Sequence, residues 1–377
     1  MTTTDAASRP ETTGVDEAPP RYSVCIPNFN YGRYVGQTVR TVLDQEGPSV
    51  EVRVVDNAST DDSFEVLTAI DDPRLTVRQN PSNVGFAANL DRAVAGARGD
   101  RVILLSSDDL MRPGALATYD DLIERAGLDD GTTIISSTLD VVDADSAIVG
   151  KLGPPRWCWS ADDLDPVLTE RMGVPVYRQD PEELLRRCMR NLRSPVWFAS
   201  TSYPRALYDA VEGYRGQYLM CPDKVFHWRG IPAAAGGVFL DTPLFGYRVH
   251  GSNQLSIERD TAALKRIVDQ YMISFSLDPS VPARAGVDPS TLPASFIRED
   301  IAKRAGAALM EQDKMLAFRI VQFGAAAYPE LMWRDPYAVA VRIAVALRPL
   351  TAPLLGRFRS QTTKRYLQES NLARGRF

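Results

Sequence analysis

Apolar and polar positions along the chain fall into short blocks whose period switches between that of a strand and that of a helix. Tyr22–Ile26 is a compact apolar run stopped by Pro27, and Asn28–Gly32 is loop chemistry. Val35, Val39, Val42 and Leu43 then recur at helical spacing. Val50–Val55 predicts a second strand ending at Asp56, and a helix follows over Phe64–Ile70. Leu75–Arg78 predicts a third, shorter strand, and a helix opens after Asn83 and runs to about Ala97. Val102–Leu105 is a continuous apolar run of the kind buried on both faces. An amphipathic helix over Leu116–Ala126 and strands over Thr133–Ser137 and Leu139–Val142 continue the alternation. Regular exchange of strand and helix predicts an α/β, doubly wound and mostly parallel sheet flanked by helices.

The pattern fails in three places. Residues 1–20 hold almost no large apolar side chain, which predicts a disordered tail. Residues 151–195 crowd Pro154, Pro155, Trp157, Trp159, Pro166, Pro175 and Pro181 into a stretch that reads as irregular. Two readings stand for it: an ordered segment facing an acceptor, or a plain structural insertion. Beyond about residue 258 the periodicity is helical only, over Ala262–Leu277, Ala294–Tyr328 and Tyr337–Leu347, with a Pro-rich link at 279–293. From Arg342 to Phe377 eight basic residues face Glu369 alone. Such a tail suits an anionic membrane surface, while a helical cap or a homodimer contact is the alternative.

Composition narrows the classes. A net charge of −5 gives no footing for nucleic-acid binding. The four cysteines, Cys25, Cys158, Cys188 and Cys221, lack paired spacing, so neither a zinc site nor a disulfide framework is expected and a reducing cytoplasm fits. The N-terminus has no signal-peptide core, and no apolar run is long enough to span a bilayer.

The chemistry concentrates where Val102–Leu105 runs into Ser106-Ser-Asp-Asp109. Open α/β sheets place ligands at the carboxyl ends of their strands. Adjacent carboxylates there call for a neutralising charge, and Mg²⁺ or Mn²⁺ bridging to a diphosphate supplies one. A turn cap is the alternative use of the same pair. Neither a GxGxxG nor a GxxxxGK[ST] motif is present, so phosphate binding by a glycine cradle is disfavoured.

Pro27-Asn-Phe-Asn30, Val54-Val-Asp-Asn-Ala-Ser-Thr-Asp61, Asn83-Val-Gly85 with Asn89, and Ser106-Ser-Asp-Asp109 follow one another within 90 residues. In that order they resemble the nucleotide-sugar motifs of glycosyltransferase family 2. The resemblance covers about residues 22–256 and implies a GT-A catalytic domain over 21–258, a helical C-terminal region over 259–377 and inversion at the sugar. It implies that Pro27, Asn28, Asn30, Asp56, Asn57, Asn83, Asn89, Ser106 and Ser107 line the nucleotide site. A carboxylate only accepts, so Asp56 selects an N–H donor such as that of uracil or thymine, which favours a UDP- or dTDP-sugar; a helix N-cap is its alternative use. Phe245-Gly-Tyr-Arg-Val-His-Gly-Ser-Asn253 resembles the family's closing segment, which assigns His250 to the metal or diphosphate, with Arg248 and Asn253 assisting; a plain core histidine is the alternative.

Two departures stand out. The family shows Asp-x-Asp-Asp where this chain has Ser106, which leaves Asp108 as the main metal ligand with Asp109 beside it. It commonly shows Glu-Asp where this chain has Pro222-Asp223, with Arg229 six residues on. Asp223 is then the candidate general base, since inversion needs a carboxylate opposite the leaving diphosphate; its alternative is a helix cap. Lys224 and His227 read as surface residues. The implied partners are a nucleotide-sugar donor and a small-molecule, glycan or lipid-linked acceptor, in a bacterial, actinomycete-like protein of the cytoplasm or its inner membrane face. A nucleotidyltransferase of related fold and a non-catalytic nucleotide-sugar-binding module are the competing readings.

Overall fold

A computed structural model describes residues 18–128, 132–214, 222–250 and 262–346. The tail up to residue 17, Cys221, Asn253 and the basic segment from residue 347 lie outside them.

Ten strands form one sheet: β1 (Tyr22–Asn28), β2 (Val50–Asp56), β3 (Leu75–Gln79), β4 (Arg101–Leu104), β5 (Leu110–Met111), β6 (Thr133–Val142), β7 (Ile148–Leu152), β8 (Val176–Gln179), β9 (Ser202–Pro204) and β10 (Gly236–Arg248). Their order is β3-β2-β1-β4-β9-β6-β10-β5, with β7 beside β6 and β8 beside β10. The first four in that order are parallel, and β6 runs parallel to β10. β9 is antiparallel to both β4 and β6. The buried Arg101 guanidinium ties these three together, donating to Ser202 Oγ at 3.0 Å and to the Thr133 carbonyl at 2.7 Å.

Period-2 alternation sends side chains to two cores. Val24, Ile26, Val52, Val54, Ile103 and Leu105 face α1 (Gly32–Leu43), α2 (Ser63–Thr68) and α4 (Ala115–Ala126). Cys25, Val55, Val102 and Leu104 face α3 (Phe86–Ala95), α6 (Pro181–Asn191), α7 (Arg205–Ala210) and α8 (Pro222–Gly230). That second core continues into the C-terminal helices through Ile267, Phe296 and Ile301. α1 lies so close to α2 that a Cβ on Gly36 would stand 2.9 Å from Val66 Cγ1.

Several expectations need correction. Residues 151–195 are irregular only in part: 153–160 carry no helix or strand, whereas α5 (Pro166–Met172), β8 and α6 occupy most of the rest. Pro166 and Pro181 are not loop makers; each is the first residue of a helix whose preceding Asp, Asp165 or Asp180, caps it. Trp159 is fully buried, its indole N–H donating to the Pro195 carbonyl at 2.8 Å. Thr133–Val142 is one strand rather than two, and the 13-residue β10 has no forecast counterpart. Pro243 sits within β10 at a register shift, where its missing N–H is tolerated. The expected 294–328 helix divides into α11 (Leu292–Phe296), a π-helical turn (Ile297–Ala302), α12 (Lys303–Met310) and α13 (Lys314–Ala327), the last capped by Asp313. These follow α9 (Ala262–Ser276) and α10 (Ser280–Arg284), and the latter occupies the supposed link.

The caps of this region are testable. Asp180 accepts from the Glu183 N–H at 3.0 Å, so Asp180→Ala lowers unfolding free energy by about 1 kcal/mol, and Asp180→Asn restores most of it. Urea midpoints of the three proteins decide this.

Candidate functional site

The parallel register places Asn28, Asp56 and Gln79 side by side at the carboxyl ends of β1, β2 and β3. Asp56 is fully buried and takes four donors from the chain itself. Asn28 Nδ2 at 2.7 Å and Ser59 Oγ at 2.5 Å meet one oxygen; the Ser59 N–H at 3.0 Å and Gln79 Nε2 at 2.9 Å meet the other. The Asn28 side-chain carbonyl is buried without a partner. Pro27 precedes this row inside β1. Asn30, at φ +59°, accepts from the Thr60 N–H at 2.7 Å and closes the loop over Ser59.

Asn57, Asn83 and Asn89 belong to an amide network completed by Asn80, which sequence reasoning passed over. Asn57 donates to Asn83 Oδ1 at 2.9 Å and accepts from Asn80 at 2.9 Å and from the Val84 N–H at 3.0 Å. Asn80 also donates to Asn89 Oδ1 at 2.8 Å, and Asn89 donates to the Val55 carbonyl at 3.1 Å. The network fixes the loop after β2 against the turn that opens α3. A second Asn immediately after a strand was the available signal.

The acidic turn is assembled from both ends of the domain. Antiparallel pairing of Phe245 with Met111 and of Gly246 with Leu110 carries residues 248–250 to the tip of β4. There His250 Nε2 lies 3.1 Å from Asp108 Oδ2, although 142 residues separate them. Both side chains are nearly buried, at 4% and 8% exposure. Tyr34 and Tyr31, at the start of α1, hold the imidazole with ring centroids at 4.5 and 5.8 Å; neither tyrosine was anticipated.

Asp109 turns the other way. Its carboxylate accepts from the Arg248 N–H at 2.9 Å and from the Ser106 hydroxyl, and burial followed by the Asp108 charge pushes its pKa well up. The Ser107 and Asp109 carbonyls both accept from Thr38 Oγ1, at 3.0 and 2.8 Å. Arg248 is fully buried and spends its guanidinium on the protein. It donates to the carbonyls of Asp108 at 2.7 Å, Asp143 at 3.0 Å and Ala144 at 3.1 Å, to Ser146 Oγ at 2.9 Å and to Gln37 Oε1 at 2.8 Å. It also lies over the Tyr34 ring at 4.9 Å. It therefore positions the Asp108 turn and the β6–β7 loop.

Asp108 and His250 fit a divalent cation. Two cis ligands of an octahedral ion with bonds near 2.1 Å stand about 3.0 Å apart, close to the separation found. Among the described residues no group of three His, Cys, Asp or Glu side chains converges, so an ion held here would need further oxygens from a ligand or water, as Mg²⁺ commonly does.

Asp223 occupies the first turn of α8. Burial raises its pKa against the pull of Lys224, and Asp269 of α9 adds to the rise. Arg229 donates to the carbonyls of Val211 and Gly213, both at 2.6 Å. His227 is not a surface residue: it is 2% exposed, its Nδ1 lies 3.0 Å from Ser194 Oγ, and burial lowers its pKa from 6.5 to about 3. Lys224 reaches the Gln270 side chain rather than open solvent. Cys25, Cys158 and Cys188 are free and buried, and burial raises their pKa values, which makes them inert core residues.

Two expectations follow. Arg248→Lys, which keeps the charge but cannot reach as many acceptors, destabilises the fold by about 3 kcal/mol in chemical denaturation. The unfolded chain binds a proton at His227 below pH 6.5, whereas the folded chain does not until about pH 3. The contribution of neutral His227 is therefore complete above pH 6.5 and is lost on acidification, with a slope of up to about 1.4 kcal/mol per pH unit. Urea midpoints at neutral pH and at about pH 5 should converge in His227→Gln.

Known proteins resemble this chain in part of its sequence and in its fold. Residues 23–134 match the family model described as Glycosyl transferase family 2. The succinoglycan biosynthesis protein ExoO of Rhizobium meliloti is 33% identical over 126 residues, 33% of this chain and 35% of that protein. The putative teichuronic acid biosynthesis glycosyltransferase TuaG of Bacillus subtilis is 37% identical over 92 residues, 24% of this chain and 36% of that protein. The chain spans about a third of the length of the curated relatives it matches. Residues 1–349 of S. aureus TarS, solved in complex with UDP-GlcNAc, superpose with a TM-score of 0.51 at 16% identity, covering 83% of this chain and 91% of that one. This likeness shows the fold, which is GT-A with added C-terminal helices. The likeness to glycosyltransferase family 2 is carried by residues 23–134.

Proposed function

We propose that the chain is an inverting glycosyltransferase that moves a hexose-type sugar from a nucleoside-diphosphate donor to an acceptor hydroxyl. The observation that carries this reading is the meeting of Asp108 and His250 at 3.1 Å on the tip of β4, beside the strand-end row of Asn28, Asp56 and Gln79. Asp108 and His250 would hold Mg²⁺ or Mn²⁺, which when bound neutralises the charge of a departing diphosphate. Asp109 and Arg248 act beneath them, fixing the turn rather than touching the donor. Asp56 reads the base through an N–H of uracil or thymine, which displaces the amide of Gln79, an exposed and easily moved donor. Asn28 offers its unpartnered carbonyl to the same nucleoside. Asp223 takes the proton of the attacking hydroxyl, and its raised pKa makes it a stronger base than an ordinary carboxylate. The acceptor is a small molecule, a glycan or a lipid-linked hydroxyl.

Calorimetric titration of UDP, dTDP and GDP, each with and without Mn²⁺, tests the donor site. Expected is preference for one uridine or thymidine nucleotide, with the metal-dependent part of the affinity lost in Asp108→Asn. Binding that ignores both metal and Asp108 removes the metal assignment, and no binding removes the donor site. With the donor identified, Asp223→Asn should lower turnover by about 10²–10⁴-fold at unchanged nucleotide affinity. The wild-type rate should fall in acid with an apparent pKa above that of a free carboxylate. Undiminished turnover in Asp223→Asn assigns the base elsewhere, and nucleotide binding without turnover on any acceptor favours a binding module.

A further inference from the structure

The last described helix is apolar on the side that should be polar. In α15 (Pro336–Ala346), which follows the short α14 (Leu331–Arg334), Ala338, Val341, Ala344 and Val345 face the core. Pro336, Val339, Ile343 and Ala346 fall on the opposite face, and Pro336, Ile343 and Ala346 are exposed. A helix apolar all round is normally buried all round. Trp333, 65% exposed, stands at the edge of this face, with the Arg342 guanidinium 3.7 Å from its ring centroid. The nearby Asp335 is turned away: it caps α15 through the Tyr337 and Ala338 N–H groups, both at 3.0 Å, and accepts from Arg298 at 2.9 Å.

We propose that this face of α15, with Trp333 and Arg342, docks on an anionic lipid surface. Aliphatic residues flanked by Trp and Arg match the layered chemistry of a bilayer interface, where Trp sits at headgroup depth and Arg meets lipid phosphate. The sequence beyond residue 346 adds seven basic residues against Glu369, so the attraction continues along the chain. The same charges argue against a second copy of the chain as occupant. A two-fold contact sets each patch against itself and would oppose Arg342 and the following basic residues to their own images. The inference does not depend on the donor site. It moves the apolar part of the contact from the basic tail, where the sequence pointed, to α15 and Trp333.

The test is co-sedimentation of the full chain with vesicles of phosphatidylcholine and phosphatidylglycerol, against phosphatidylcholine alone. Trp157, Trp159, Trp197 and Trp228 are buried or half-buried, so Trp333 dominates the lipid-accessible fluorescence. The expected result is binding to the anionic vesicles only, quenching of tryptophan emission by brominated lipid, and loss of that quenching in Trp333→Phe. Arg342→Ala should weaken binding about fivefold, and Ile343→Asp should weaken it at least as much with an unchanged melting temperature. Binding that survives Ile343→Asp without quenching would place the contact in the basic tail and overturn the proposal. Absence of binding overturns it, as does a lipid-independent dimer that Ile343→Asp dissociates.

Discussion

The architecture of the site depends on one fully buried cation. Arg248 enters from the end of β10 and bonds to three backbone carbonyls and two side chains drawn from the Asp108 turn, the β6–β7 loop and α1. Burying a guanidinium is costly unless its donors are met, and here they are met by groups that would otherwise have no reason to lie together. Burial lowers the Arg248 pKa, while Tyr34, Asp108 and Asp109 favour its charged form. His250 follows two residues later and is thereby delivered to Asp108. The pair proposed to hold the metal is thus placed by a residue that need not touch a substrate.

Much of this was legible in the sequence. The first four strands and the helices between them followed from apolar period and turn residues, because that part of the sheet is parallel and, apart from the edge strand β3, buried on both faces. Asp56, Asp108 and His250 were found as motif residues, and each lies at a strand end or just beyond it. The roles of their neighbours were harder to read. Asn57, Asn83 and Asn89 hydrogen-bond to one another and to backbone, a use that composition cannot distinguish from ligand contact. Asp109 and Arg248 are charged, which suggests ligands, yet both face inward.

Where the reading failed, the cause was local chemistry with two meanings. Pro166 and Pro181 resemble loop punctuation until the preceding aspartates are recognised as caps. β10 escaped notice because Pro243 and three glycines, Gly236, Gly237 and Gly246, interrupt its alternation, and its partners differ along its length: β8 near Val238 and β5 near Phe245. His227 looked exposed because its helix carries charged residues on either side, but a ring hydrogen-bonded to Ser194 within an aromatic cluster is a packing element.

The two-residue pairing of β5 with β10 also has a kinetic consequence. Contacts between Leu110 and Gly246 close a loop of well over a hundred residues, the kind of closure that topology makes slow. Strands β1, β2 and β3, whose partners lie within tens of residues of one another, can pair while the chain is still being made. The acidic turn stays incomplete until residue 250 has been synthesised and β10 has threaded between β6 and β5. Until then Asp108 and Asp109 lack the Arg248 and His250 groups that meet them in the folded chain.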